Sequence, residues 1–174
     1  MSTDEIVDIV NEEDVVIGKG SKNYCHANKI LHRGAAILIF KDKSHKEILL
    51  QKRSRLKKSN PGKWAYVGGH LKSGETYLEG ALRELQEEMF HNKKLPPNIH
   101  LEELFKIIKY DNDPEHGMIY RTVCKGPFFL DPEEAEEFHF MNIDRLADDL
   151  EKNPGKYTTT CAFLTKEYKK RIKQ

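Results

Sequence analysis

Apolar positions along this chain fall into short runs whose periods predict strands interleaved with helices. Glu5–Val10 and Val15–Gly18 read as two short strands around the polar turn Asn11-Glu12-Glu13-Asp14, a hairpin over about residues 5–18. Arg33–Lys41 holds the longest apolar run, Gly34–Phe40, and suits a strand buried on both faces. Glu47–Arg53 alternates less cleanly and is read as its partner, joined to it through Asp42-Lys43-Ser44-His45. Helical spacing then takes over from Thr76 to Phe90, where Leu78, Leu82, Leu85 and Met89 form an apolar stripe of the kind that docks on a core. Beyond the Leu95–Asn98 loop, Leu101–Tyr110 and Met118–Lys125 read as a strand pair across Asp111–Gly117. Glu134–Asn142 follows as a strand and Asp144–Leu150 as a short helix. The last helix spans about residues 158–171, started by Thr158, Thr159 or Thr160, with Phe163, Leu164 and Tyr168 on its inner side. This order predicts an α/β fold, a mixed sheet with helices on both sides, in a single domain over residues 1–174.

Composition narrows the function classes. Charged residues make up 33% of the chain, net charge is +1 and mean hydropathy is -0.70. A nonspecific nucleic-acid binder usually carries a large positive excess, so nucleic acid is not the expected partner. The run Gly34–Phe40 is too short to cross a bilayer, so no membrane span is expected. The acidic start MSTDEIVDIV lacks the basic and apolar regions of a signal peptide. Cys25, Cys124 and Cys161 are scattered and never in a C-x-x-C pair, which points away from a zinc knuckle and a disulfide framework and toward a cytoplasmic protein. Cys124 reads as a buried small hydrophobe.

The helix over 76–90 carries more than its stripe. Glu84, Glu87 and Glu88 stand at i, i+3 and i+4, within an arc of roughly 100° on one face. Like charges at that spacing weaken a helix, whereas clustered carboxylates hold Mg²⁺ or Mn²⁺ through hard oxygen ligands. Gly68, Gly69 and Gly74 supply tight turns ahead of it, and Thr76, or Ser73 with Thr76, can cap its start. The spacing Gly69, five residues, Glu75, seven residues, then Arg83-Glu84-Leu85-x-Glu87-Glu88 resembles the Nudix box, here residues 69–91. That resemblance implies an α/β/α sandwich and a hydrolase cleaving a small-molecule diphosphate derivative with Mg²⁺, or Mn²⁺. It assigns Glu84, Glu87 and Glu88 with the Gly69 carbonyl to the metal, and Glu84 or a Glu from the Glu133–Glu137 run, Glu137 included, to the base. Arg83 and Glu75 orient each other, with Gly74 shaping the loop. One box position departs: Phe90 stands where the family has Gly, followed by His91, and Asn92 can take the left-handed capping role.

A second cluster precedes the box. Lys52, Arg53, Arg55, Lys57, Lys58 and Lys63 occur with no acid among them. They read as a solvated loop or as a polyphosphate clamp, with Arg53, Lys57 and Lys63 contacting phosphate. Arg53-Ser54…Lys57…Pro61-Gly62-Lys63-Trp64 and Leu31-His32-Arg33 resemble the Nudix branch that contains isopentenyl-diphosphate isomerase. That enzyme needs a Cys where Gly68 stands, and two later Glu whose places on the Met118–Cys124 stretch fall near Tyr120 and Thr122, neither of them acidic. Of its metal site His32 and His70 persist, and His26 falls one residue out of register. Both His32 and His70 are more often structural than ligands. The reading is a hydrolase with an isomerase-like body, against two alternatives: the isomerase itself and a non-catalytic nucleotide-binding domain. A homodimer is allowed through the N-terminal hairpin. Specificity is expected in Ile99–Tyr110 and Asp111–Gly117.

Overall fold

The computed structural model describes residues 4–108 and 114–172. Its residues fall into two compact units, each built from separated stretches of chain. The first takes in the described residues of Met1–Ile37, Gly68–Leu85 and Leu101–Arg121. Here β1 (Ile6–Val10) pairs antiparallel with β2 (Val16–Ser21), and Ile9 of β1 pairs with His32 of β3 (His32–Phe40). Ser21 ends β2 and caps the short helix α1 (Lys22–Ala27), its hydroxyl accepting from the Tyr24 amide at 3.3 Å. Strand β4 (Glu47–Arg53) comes next in the chain, then the two-residue β5 (Trp64–Ala65) and β6 (Val67–His70), whose partner is β3. β7 (Glu102–Ile107) pairs antiparallel with β8 (Glu115–Val123), which also joins β3.

The second unit takes in Leu38–Val67, Gln86–His100 and the described residues of Thr122–Gln174. Its centre is β4, flanked antiparallel by β5 and by β9 (Ala135–Asn142). Ile48, Leu49 and Leu50 are fully buried beside Phe40, which ends β3. Each such side chain contributes about 1.5–3 kcal/mol on leaving water. Helix α3 (Ile143–Lys152) is capped by the Asn142 side chain, which accepts from the Asp144 and Arg145 amides. Helix α4 (Thr159–Ile172) starts on Thr158, whose hydroxyl accepts from the Cys161 amide at 3.1 Å.

Helix α2 (Tyr77–Phe90) begins in the first unit and ends in the second. Thr76 and Glu79 form a reciprocal capping box: each side chain accepts from the other residue's amide, at 3.3 and 2.8 Å. Ser73 has no part in the cap, because its hydroxyl donates to Asp8. At the far end His91 and Asn92 are both left-handed, and the Asn92 amide donates to Gln86 O at 3.0 Å, closing the helix as a glycine would. Phe90 is 2% exposed and packs on Phe128.

Four expectations need correction. Of the expected α2 stripe Leu85 and Met89 are buried, but Leu82 is half-buried and Leu78 is 44% exposed, and the buried face is completed by Ala81 and by Glu88, whose carboxylate is held by Gln51. On α4 the buried positions are Cys161, Leu164, Thr165 and Tyr168, with Phe163 half-buried. Gly68 and Gly69, read as loop, lie in a strand. β8 starts at Glu115, not Met118, so Glu115 to Gly117 belong to the ladder. Residues 109–113 of the expected turn lie outside the described residues. Cys124 is buried as expected.

Candidate active site

Arg83 organises the start of the box. Its Nε and Nη2 donate to the two Glu75 carboxylate oxygens at 2.7 and 2.9 Å, its Nη1 to Glu84 at 2.6 Å, and Nη2 also to the His70 carbonyl at 2.8 Å. Burial alone would lower the guanidinium pKa, but Glu75 and Glu84 outweigh it and raise it further. Glu75 also accepts from the Lys72 amide at 2.7 Å. Burial pushes its carboxyl up, and Arg83 and that amide bring it below the usual range. The loop itself is pinned by Asp8, which accepts from the Ser73 hydroxyl at 2.7 Å and the Gly74 amide at 2.9 Å. Gly74 sits at φ +89°, a conformation open to glycine.

Glu84 rests directly on Gly69. A Cβ at position 69 would come within 2.7–2.8 Å of the Glu84 carboxylate, so only glycine lets the acid lie against this backbone. Glu87 and Glu88 follow on the same helix. Glu88 is 5% exposed, and the Gln51 side-chain amide donates to its Oε2 at 2.7 Å.

Beside Gly69 stands a cluster assembled from four separate elements. His26 on α1, His32 on β3, His70 on β6 and Glu115 on β8 offer three imidazole nitrogens and a carboxylate oxygen, all within 4.8 Å of one another. His70 Nε2 lies 2.8 Å from His26 Nε2 and 2.7 Å from Glu115 Oε1. His32 Nε2 lies 3.6 Å from the same oxygen. His32 Nδ1 donates to the Ile30 carbonyl at 2.8 Å, so Nε2 is the nitrogen facing the cluster, a donor to Glu115 when protonated and a lone pair for a cation when not. Burial pushes the His26 imidazole pKa down, and His70 and His32 push it further. Burial pushes the Glu115 carboxyl up, but His32 and His70 outweigh it and hold it well below the ordinary carboxylate range. Converging nitrogen lone pairs with one carboxylate form a donor set for a divalent transition metal such as Mn²⁺ or Zn²⁺. Gly34 gives Glu115 its place: a Cβ there would stand 2.6 Å from Glu115 Oε2 and 3.4 Å from the Gly69 carbonyl. The cluster, Gly69 and Glu84 thus share one compact unit.

Two sequence assignments are corrected here. His26, expected out of register, is in the cluster because α1 turns it toward His70. The acid on the later strand is Glu115, not a residue near Tyr120 or Thr122, both of which are buried. Two residues on, facing the same side of β8, stands Gly117. His32 and His70 were the visible signal. Nothing in the spacing of His26 or Glu115 marks them, since they meet only when α1 and β8 are in place.

Gly68 is tightly confined. It sits at φ +144°, and a Cβ would lie 2.2 Å from the Ala35 carbonyl oxygen and 2.8 Å from the Ala36 Cα. No L side chain fits without moving β3 or β6.

The basic segment is matched by the acidic one. Lys52 pairs with Glu137 at 2.8 Å, Arg55 with Glu136 at 3.7 Å and Lys57 with Glu134. Arg53 donates to the Ser59 carbonyl and hydroxyl at 3.2 and 3.3 Å, and Lys63 is half-buried at the end of the loop. An anion binding Lys57 would compete with Glu134. Trp64 meets His139 edge-on with ring centres 4.1 Å apart, and Phe140 is half-buried.

The NUDIX domain family model matches residues 30–163. Among curated relatives, an isopentenyl-diphosphate Δ-isomerase of Serratia proteamaculans is 33% identical over 163 residues, covering 93% of this chain and 89% of that protein. An uncharacterized Nudix hydrolase of Yersinia pestis is 36% identical over 138 residues, covering 79% and 72%. Among solved structures, DR0079 of Deinococcus radiodurans superposes with a TM-score of 0.78 at 20% identity, covering 94% of this chain and 98% of that one. The last likeness concerns the fold, an α/β NUDIX arrangement. Among the described residues no helix is long and apolar enough to cross a membrane.

Proposed function

Because the chain belongs to the NUDIX family and is an enzyme of the Nudix hydrolase kind, we propose that it cleaves the phosphoanhydride bond of an organic diphosphate with a divalent cation. Glu84, Glu87, Glu88 and the Gly69 carbonyl are the ligands in this reading, with Mg²⁺ as the metal. His26, His32, His70 and Glu115 form a second cation site whose nitrogen donors favour Mn²⁺ over Mg²⁺. When bound, the cation neutralises developing charge on the diphosphate and lowers the pKa of a coordinated water. The protein then has to position and neutralise more than to do covalent chemistry. Of the four bonds Arg83 donates, two go to Glu75, one fixes Glu84 and one fixes the His70 carbonyl. Arg53, Lys57 and Lys63 are the proposed phosphate contacts. We further read a single NUDIX domain, a small-molecule substrate rather than nucleic acid and a cytoplasmic location, with the hairpin open either to a homodimer contact or to covering a sheet edge.

The observation that carries this reading is Glu84 seated on Gly69, since a box carboxylate is held against a backbone position that has no side chain to displace it. A second reading, isopentenyl-diphosphate Δ-isomerase, is favoured by the histidine–carboxylate cluster and by the Serratia relative. Against it stand Gly68, with no room for a thiol, and Gly117, without a second acid. A non-catalytic nucleotide-binding role is disfavoured because all three box carboxylates are present.

The test is turnover in ¹⁸O-labelled water on nucleoside diphosphate derivatives and on isopentenyl and dimethylallyl diphosphates. Label in either of the two phosphorus-bearing products, with the organic groups unaltered, supports hydrolysis of the phosphoanhydride. Interconversion of the two isoprenoid diphosphates without phosphate release would sink it.

A further inference from the structure

Gln51 is an unexpected residue for the middle of β4. It is 1% exposed, follows Ile48, Leu49 and Leu50, and pairs across the ladder with Ala65 and Phe138. An uncharged amide in such a place costs stability unless its polar atoms are used. Its Nε2 lies 2.7 Å from Glu88 Oε2 and 3.5 Å from the Tyr66 carbonyl oxygen. Both neighbours are acceptors, so the NH₂ group must be the end that faces them. Its Oε1 points the other way, is buried, and accepts no hydrogen bond among the described residues.

This is an odd design for packing alone. A leucine or methionine would fill the same volume without leaving a buried oxygen unsatisfied. The arrangement fits a residue that serves a carboxylate. By occupying Oε2, the amide fixes the rotation of the Glu88 carboxyl group and with it the direction of the other oxygen. It also gives a nearly buried acid a donor that does not neutralise its charge, as a lysine would.

We propose that Gln51 is a positioning residue for the box metal site, holding Glu88 Oε2 so that this carboxylate can bind a divalent cation. The inference rests on the metal-dependent reading given above. It adds a residue from outside the box, contributed by β4, to the machinery of that site.

The test is Mn²⁺ binding to the full chain, followed by electron paramagnetic resonance of the free ion. Histidine-cluster binding is removed with His70→Ala, so that the box alone is read. In that background Gln51→Met, which keeps length and loses the donor, should weaken Mn²⁺ binding about 10-fold or more, as loss of a group that orients a metal ligand does. Gln51→Asn keeps the amide but withdraws it by one methylene, and should fall in the same direction if the methionine variant fails to fold. A purely structural role predicts a lower Tm with unchanged Mn²⁺ affinity, and that result overturns the proposal. If Glu87→Gln leaves Mn²⁺ binding of the His70→Ala protein untouched, the box reading has failed, and the role of Gln51 falls with it.

Discussion

The α-carbon of Gly68 presses against the backbone of Ala35, so that a Cβ would stand 2.2 Å from the Ala35 carbonyl oxygen. The residue where the isomerase resemblance requires a thiol is thus missing, and so is the space for it. Gly68→Cys should therefore lower Tm sharply, by the equivalent of several kcal/mol for a backbone clash at a glycine-favouring φ. It should give no interconversion of isopentenyl and dimethylallyl diphosphates. A well-folded, isomerising Gly68→Cys protein would show that β6 moves easily and that the isomerase reading deserves first place.

Arg83 spends its donors on Glu75, Glu84 and a backbone carbonyl, in a forked geometry that an ammonium cannot copy. Arg83→Lys should lower kcat about 10-fold or more, with a smaller change in KM, because the group orients a ligand rather than holding substrate. Glu75→Gln should act in the same direction and more weakly. An equal rise in KM with kcat unchanged would place Arg83 on the substrate instead.

Phe90 occupies the position where the resemblance expects Gly, yet it is 2% exposed and packs against Phe128 with the two rings tilted at 60°. Its aromatic ring has become core, while His91 and Asn92 end the helix. Phe90→Gly should therefore cost about 3–5 kcal/mol, the range for emptying a buried aromatic site, without raising turnover. Urea unfolding against a kinetic assay separates the two effects, and a stabler or faster variant would refute this account of the substitution.

Asp14 ties the hairpin turn to the rest of its unit. It accepts from Arg33 at 2.6 Å, from Tyr77 at 3.1 Å and from Lys106. Burial pushes its carboxyl up, but Lys106 and Arg33 outweigh it and set it below the ordinary value. A depressed folded pKa means a contribution present above the unfolded Asp pKa of about 3.9 and lost as pH falls through the lower folded value. Asp14→Asn keeps a residue that tolerates the φ of +63° and removes the charge. It should cost about 1–3 kcal/mol at pH 7, with the gap to wild type closing below about pH 4. A gap that stays constant from pH 7 to pH 3 would contradict the ion-pair account.

Local signals carried far in this chain. The Gly34–Phe40 run, the Glu47–Arg53 strand and the Thr76-capped helix were legible because period, composition and capping residue agree. The box carboxylates stand out in the sequence because like charges at helical spacing weaken a helix, which is what suggests a metal there. His26 and Glu115 do not, since their meeting depends on α1 and β8 converging beside β3. Gln51 leaves only a weak trace in the sequence, one amide beside an apolar run, because its partner Glu88 lies 37 residues on and meets it only when β4 and α2 are packed. The ion pairs of Lys52, Arg55 and Lys57 are equally long-range, joining β4 and its loop to the start of β9.

The carboxylates of α2 are proposed to bind the metal that drives diphosphate hydrolysis, and one comparison addresses that claim most directly. Mg²⁺-dependent formation of the two phosphorylated products would be measured for wild type and Glu87→Gln on whichever diphosphate the wild type turns over. Glu87→Gln changes one oxygen to an amide at a half-buried position and should leave the fold intact. Loss of a metal-binding carboxylate should slow turnover by about 100-fold or more, since the cation supplies both charge neutralisation and the activated water, with Tm unchanged in the absence of metal. Equal turnover by the two proteins would contradict the claim and move the chemistry to the histidine cluster.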